Sequence, residues 1–329
     1  MSYNYNSTMD LLNIDILIII ISEYLGLACE DFLTIMNVRK KYEYLYYDYT
    51  LRSKIPIQAR YITIFAHKYD MCDLTKFKNL IKITYSDRLD STLNTNIFSD
   101  YVQRITFGHK FNRVIAPNVF SENITQLTFG SAFNQPIGQN VLPKNLQYLR
   151  FGYDFNQPIG QNVLPQSLTY LVFGGAFNQP IGQNVLPQTL THLIFGICFD
   201  QPIKKDVLPT SLTRLIFGFD FDRPLDKYIL PSNLIKLTFG YYFNQSITAN
   251  VLPQNLTHLT FGYTFDQPIE EKVLPQSLTY LTFGHRFNKK IKKNVLPLNL
   301  ECITFYEKYK YLDDVKSIIK NTIIKIREN

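Results

Sequence analysis

The sequence predicts a small all-α N-terminal unit followed by a mainly β solenoid of 22-residue turns, one strand per turn, with a short C-terminal helical cap. Three observations carry this prediction. The pair Phe-Gly recurs with its Gly at 108, 130, 152, 174, 196, 218, 240, 262 and 284, always 22 residues apart, and a fixed period in the twenties marks turns that stack only on their neighbours. Prolines recur in pairs between the Phe-Gly marks, as at Pro136 and Pro143; proline lacks the amide donor and restricts the residue before it, which argues against helix there. Ahead of the repeats, apolar residues fall at helical spacing.

Residues 1–8 are expected to be a flexible N-terminus and 9–55 a helical unit. Its most apolar stretch is "DILIIIISEYL", residues 15–25. No Lys or Arg precedes Arg39, so the basic start of a signal peptide is missing. Asp15 and Ser22-Glu23 bracket only Ile16 to Ile21, far short of the roughly 20 apolar residues of a membrane span. The remaining reading is a helix apolar nearly all round, hidden only if a neighbour covers what its own core does not. Downstream, Asp31 caps a helix whose Phe32, Ile35, Met36 and Val38 face a small core that Tyr42, Leu45 and Leu51 continue. Three short helices make a marginal domain whose exposed apolar face calls for a partner.

These residues resemble an F-box. Its first helix is matched by Leu12-Asn13-Ile14-Asp15-Ile16-Leu17, then Ile20, Ile21, Tyr24 and Leu25; its second half by Asp31, Ile35, Val38, Lys40, Tyr42, Leu45, Asp48 and Leu51. Asn13 replaces the usual Pro, Glu23 is one extra residue, and Arg52 stands where an aromatic is common. The resemblance implies docking on a Skp-type adaptor, and through it a cullin scaffold, by way of Leu12, Ile16, Leu17, Ile20, Ile21 and Leu25.

Residues 56–106 read as degenerate turns. "RYITIF", 60–65, suits a rough first strand, and "LIKITYSDRLD" puts Leu80, Ile83 and Tyr85 where Leu, Leu and Phe belong one period earlier, with Asn96 on the second Asn column. Regular turns fill 107–305. In "L-T-x-L-x-F" the last two apolar places alternate with polar neighbours, as a half-buried strand requires. Two Phe columns, 107/129/151 onward and 111/133/155 onward, should stack inside. The Gly after the first Phe suits either positive φ or a close backbone approach. After the second Phe the column holds Asn112, Asn134, Asn156, Asn178, Asn244 and Asn288 but also Asp200, Asp222 and Asp266. Asn and Asp share only an acceptor oxygen, which should bond a loop N–H, here or on the next turn. Residues 306–329 form the cap: Tyr306 breaks the Gly column and "LDDVKSIIKNTIIKI" can make a short amphipathic helix.

The phrase "FNQPI", at Phe133–Ile137, Phe155–Ile159 and Phe177–Ile181, resembles the FNIP repeat family over roughly 80–305. That family abounds in social amoebae and amoeba-infecting giant viruses, and the resemblance implies a leucine-rich-repeat-like solenoid. "FDRPL", "FNQSI" and "FNKKI" depart from the phrase, so loop distortion is expected there. An F-box ahead of FNIP turns resembles proteins of amoeba-infecting giant viruses. It implies the substrate-recognition subunit of a cullin-type ubiquitin ligase, working in the host cell cytoplasm, monomeric apart from its complex. The alternative is a non-catalytic scaffold or decoy of host proteins.

Between the buried residues, each strand presents two free positions. One column reads Arg104, Gln126, Tyr148, Tyr170, His192, Arg214, Lys236, His258, Tyr280, Cys302; the next reads Thr106, Thr128, Arg150, Val172, Ile194, Ile216 and then Thr to 304. Neither holds a carboxylate. Tyr148, Arg150, Tyr170, His192, Arg214, Lys236, His258 and Tyr280 are the expected substrate-binding residues, since Tyr, Trp and Arg are enriched where proteins bind proteins. The plain alternative is that these are solvated strand positions. Tyr153, Phe219, Tyr241 and Tyr263, just after the Gly, adjoin this face.

Other chemistry finds no support. The five histidines fall at unrelated points or in repeat columns and form no triad or paired-carboxylate pattern. Cys29, Cys72, Cys198 and Cys302 lie far apart, giving neither a disulfide framework nor a zinc site and suiting a reducing compartment. No cofactor is implied. A net charge of +7 permits an acidic partner but falls short of a nucleic-acid binder's basic stripe. The Lys289, Lys290, Lys292, Lys293 cluster reads first as a solvated charge run.

Overall fold

The computed structural model describes residues 44–48, 61–65, 79–85, 91–95, 97–319 and 321–328. Residues 9–43 of the expected helical unit, with Leu12, Ile16, Leu17, Ile20, Ile21 and Leu25, lie outside them, as does Asn96. The described strands form one parallel sheet of 14 strands in chain order. It runs from β1 (Tyr44–Asp48), β2 (Tyr61–Phe65) and β3 (Lys82–Tyr85), through nine three-residue strands from β4 (Arg104–Thr106) to β12 (Tyr280–Thr282), to β13 (Cys302–Tyr306) and β14 (Ile323–Arg327). In turn after turn the register repeats, Leu149 opposite Leu171 and Leu171 opposite Leu193. This is the expected leucine-rich-repeat-like solenoid.

Two segments depart from expectation. Tyr44–Asp48, expected to extend the helical unit, is a strand paired in parallel with β2. Its "YLYYD" run has the aromatic residues that fit a pleated surface, and pairing satisfies backbone groups that the edge of β2 would otherwise leave open. At the other end, the helix expected through "LDDVKSIIKNTIIKI" stops early. Helix α1 covers Leu312–Ile318, with Val315 buried beneath it, and Ile323–Arg327 instead adds β14 to β13. Three β-branched residues in "IIKIR" suit a strand better than a helix, and the edge of β13 supplies the partner.

The Phe columns stack as predicted. Phe177 and Phe199 lie 6.1 Å apart at 6°, while within a turn Phe195 and Phe199 lie 3.8 Å apart. Each buried ring contributes about 2–3 kcal/mol by burial, and stacked pairs add about 0.5–1.5 kcal/mol. Tyr309 takes the place of Phe in the last turn, stacked 4.2 Å from Phe305, with its hydroxyl donating to the Lys289 carbonyl.

The Asn/Asp column works through its acceptor oxygen. Oδ1 of Asn178 accepts the Asp200 N–H at 3.0 Å and the Gln201 amide at 3.0 Å; Oδ1 of Asp200 accepts the Asp222 N–H at 3.0 Å. The departures from "FNQPI" keep this contact with the previous turn. Arg223 Nη2 donates to Asp200 Oδ2 at 2.7 Å, Gln245 to Asp222 Oδ1 at 2.9 Å, and Lys289 pairs with Asp266 at 3.1 Å. Phe stacking passes through these turns at 6.1 Å, without the expected distortion.

Close approach, not positive φ, explains the Gly column. A Cβ on Gly174 would stand 1.7 Å from the Gly152 carbonyl oxygen, so only hydrogen permits that spacing. Positive φ belongs to the second Asn column, the position before Val-Leu-Pro, at Asn140 (61°), Asn162 (63°) and Asn184 (59°). Asn tolerates this region. Tyr228 (69°) and Lys272 (66°) occupy the same position without that tolerance.

Candidate functional site

One side of the sheet is filled by Leu and Phe; the other is open. In each three-residue strand the central residue is buried and its neighbours are not, as in Tyr170-Leu171-Val172 and Arg214-Leu215-Ile216. The strand period of two therefore aims every residue of the two free columns outward. The open face ends at Tyr280 and Thr282, because Cys302 and Thr304 are buried.

The structure places all eight expected binding residues on this face and brings most of them into contact. Tyr148 stacks on Tyr170 at 5.0 Å, and Tyr170 on His192 at 5.0 Å. Farther along, His258 stacks on Tyr280 at 4.5 Å. Between the two stacks stand Arg214 and Lys236, both exposed. Arg150 is also exposed, at the Tyr148 end in the second column, where Val172, Ile194 and Ile216 make a half-buried apolar strip.

Burial first, then the Arg214 guanidinium, lowers the His192 pKa below the usual imidazole value. His258 is lowered by burial and then by Lys236, against an upward pull from Glu301. Both rings are therefore neutral at neutral pH. The Tyr280 hydroxyl is raised by its hydrogen bond to Glu301 and by that carboxylate's charge.

A second ladder runs beside the first, past the Gly column. Phe219 stacks on Tyr241 at 4.3 Å, Tyr241 on Tyr263 at 4.5 Å, and Tyr263 on His285 at 4.7 Å. Tyr242 meets Phe219 and Tyr241 edge-on, and Arg286 lies over Tyr263 at 5.8 Å. Sequence reasoning found Tyr153, Phe219, Tyr241 and Tyr263 but missed Ile197, Tyr242, His285 and Arg286. Ile197 and His285 share the 22-residue column of those four, so the period alone could have found them. Tyr242 and Arg286 sit one place farther along and needed coordinates.

Among the described residues, no cluster of three or more His, Cys, Asp or Glu has metal-binding geometry, and no helix is long and apolar enough to cross a membrane. The surface offers shape, ring faces and cations for non-covalent contact.

Comparison with known proteins agrees with this architecture. The FNIP Repeat family matches residues 111–154, 155–198, 199–242, 243–286 and 265–308, together more than half of the chain. Among solved structures, CroV588, described as a novel circular LRR protein, superposes with a TM-score of 0.75 at 45% identity. That match covers 78% of this chain but only 38% of CroV588. The pneumococcal vaccine antigen PcpA aligns over 87% of this chain and 83% of its own, at 14% identity and a TM-score of only 0.29. No curated protein matched.

Proposed function

The chain belongs to the FNIP repeat family, and from that premise we propose that it is a non-catalytic protein-interaction scaffold whose open sheet face holds a target protein. One observation carries this reading. Tyr148, Tyr170, His192, Arg214, Lys236, His258 and Tyr280 line adjoining strands, exposed or half-buried, while the other side of the same strands is sealed. Stability alone needs the sealed side; the Tyr and Arg residues gathered on the open side are among the types that dominate protein interfaces.

Within that role, the chain acts as the substrate-recognition subunit of a cullin-type ubiquitin ligase in a host cytoplasm. The support is the F-box resemblance of residues 9–55, whose adaptor-facing set is Leu12, Ile16, Leu17, Ile20, Ile21 and Leu25. Target held on the solenoid and adaptor held on the box would raise the effective concentration of target near the ubiquitin-carrying enzyme. Affinity purification of the tagged full chain from infected amoebae, with every bound protein identified, tests both halves. A Skp-type adaptor and a cullin should co-purify and be lost on Leu17→Asp or Ile20→Asp, while the target is retained. A captured target with no adaptor at all instead favours the scaffold or decoy.

A further inference from the structure

His192, Arg214, Lys236 and His258 follow one another across four adjoining strands in register. Neighbouring strands lie about 4.8 Å apart, so the four side chains share a row roughly 14 Å long. Arg214 and Lys236 take part in none of the ion pairs found among the described residues. The carboxylate of Glu301 acts on the Tyr280 hydroxyl at one end, raising its pKa. Two unpaired cations side by side in strand columns that hold no carboxylate are complementary to an anion with repeated charges.

The two imidazoles are set in the same way. Thr191 Oγ1 donates to the Thr169 carbonyl at 3.0 Å and lies 2.9 Å from His192 Nδ1. Thr257 Oγ1 donates to the Ile235 carbonyl at 3.3 Å and lies 2.8 Å from His258 Nδ1. A hydroxyl has one proton. When that proton goes to the carbonyl, the oxygen accepts from Nδ1–H and the neutral ring keeps Nε2 as an acceptor; in the other tautomer the hydroxyl donates to Nδ1. Protonation turns Nε2 into a donor and adds a charge.

Resting on the reading of this face as a binding surface, we infer that the four residues form one anion-binding row. The row takes the carboxylates of an extended acidic peptide lying across the strands, with the grip tightening when the two imidazoles take up protons. An apolar side chain in the same peptide meets Val172, Ile194 and Ile216 beside the row. The groups facing His192 are Tyr170 and Arg214; those facing His258 are Lys236 and Tyr280, with Glu301 acting from beyond. All but Glu301 are neutral or cationic, so in the free protein protonation is disfavoured, and a bound carboxylate reverses this. The bound state then holds more protons than the free state, so affinity grows as pH falls and is lost as pH rises through the bound-state pKa. Each pKa unit by which the ligand raises one imidazole corresponds to about tenfold in affinity.

The test uses the full chain and a fluorescein-labelled peptide, Ser-Glu-Glu-Leu-Glu-Glu-Ser, followed by anisotropy at about pH 7.5 and about pH 5.5 at fixed ionic strength. Its glutamates, with pKa values near 4.3, stay largely ionised over that window. Wild type should bind several-fold to about tenfold tighter at the lower pH. Arg214→Gln with Lys236→Gln should abolish binding at both pH values with an unchanged melting temperature. His192→Gln with His258→Gln should bring the ratio of the two affinities to about one. Equal wild-type affinity at both pH values, or binding that ignores Arg214 and Lys236, overturns the inference; so does capture of inorganic polyphosphate but not of the peptide. If any of these occurs while purification still yields a target, the scaffold reading stands and only the assignment of this row falls.

Discussion

On the sealed side of the sheet the same side chain returns every turn, Phe133, Phe155, Phe177, Phe199, each less than 2% exposed. On the open side the strands present the series Tyr148, Tyr170, His192, Arg214, Lys236. Both series return once per 22-residue turn, so the contrast comes from packing. A buried ring 6.1 Å from its copies above and below has room for one shape only, whereas a side chain facing water meets that demand on one side at most. Stacked repeats thus hold their stability in one set of columns and leave chemical variety to another, which lets a recognition surface change without endangering the fold.

The comparison breaks most visibly if the sealed side tolerates what the open side does. Phe199→Ala should destabilise by about 3–5 kcal/mol, the usual cost of removing a core ring, read as a drop in urea midpoint; a loss no larger than that of Arg214→Gln would remove the distinction. Next in size is the polar column that joins turn to turn. Asn178→Ala leaves the Asp200 N–H and the Gln201 amide without their acceptor and should cost about 1–3 kcal/mol. Asn178→Asp should stay within about 0.5 kcal/mol of wild type, because Asp200 already performs that task one turn later; if Asp proves as harmful as Ala, the acceptor account fails. The smallest effect has the opposite sign. Tyr228 is 74% exposed at a φ of 69°, so Tyr228→Asn sacrifices little packing and should raise stability by about 0.5–1 kcal/mol. A lower melting temperature in that variant would show that the ring makes a contact worth more than its strain.

Much of this was legible before any coordinates. The Phe-Gly marks gave the turn length, and alternation within "L-T-x-L-x-F" gave the face each residue takes, so the eight candidate binding residues could be placed on one surface. The mixture of Asn and Asp in one column pointed to an acceptor oxygen, as found at Asn178 and Asp200. The ends were less legible. Tyr44–Asp48 and Ile323–Arg327 lie outside the 22-residue register, and each became a strand because a neighbouring edge was there to pair with. Periodicity within a short segment does not report such an edge.

A repeat of fixed length carries its own instruction, because each turn meets a near-copy of itself and the same residues must satisfy both sides of the contact; period and pattern therefore suffice for the stack, its buried columns and its open face. Other choices are made between turns. That Gly174 is required by a carbonyl 1.7 Å from where a Cβ would stand, that the Thr191 and Thr257 hydroxyls donate to carbonyls of the previous turn, and that Arg214 and Lys236 form no ion pair with a carboxylate among the described residues all depend on distances between residues of different turns. One-dimensional order does not encode those distances; they come into being only when the turns close on one another.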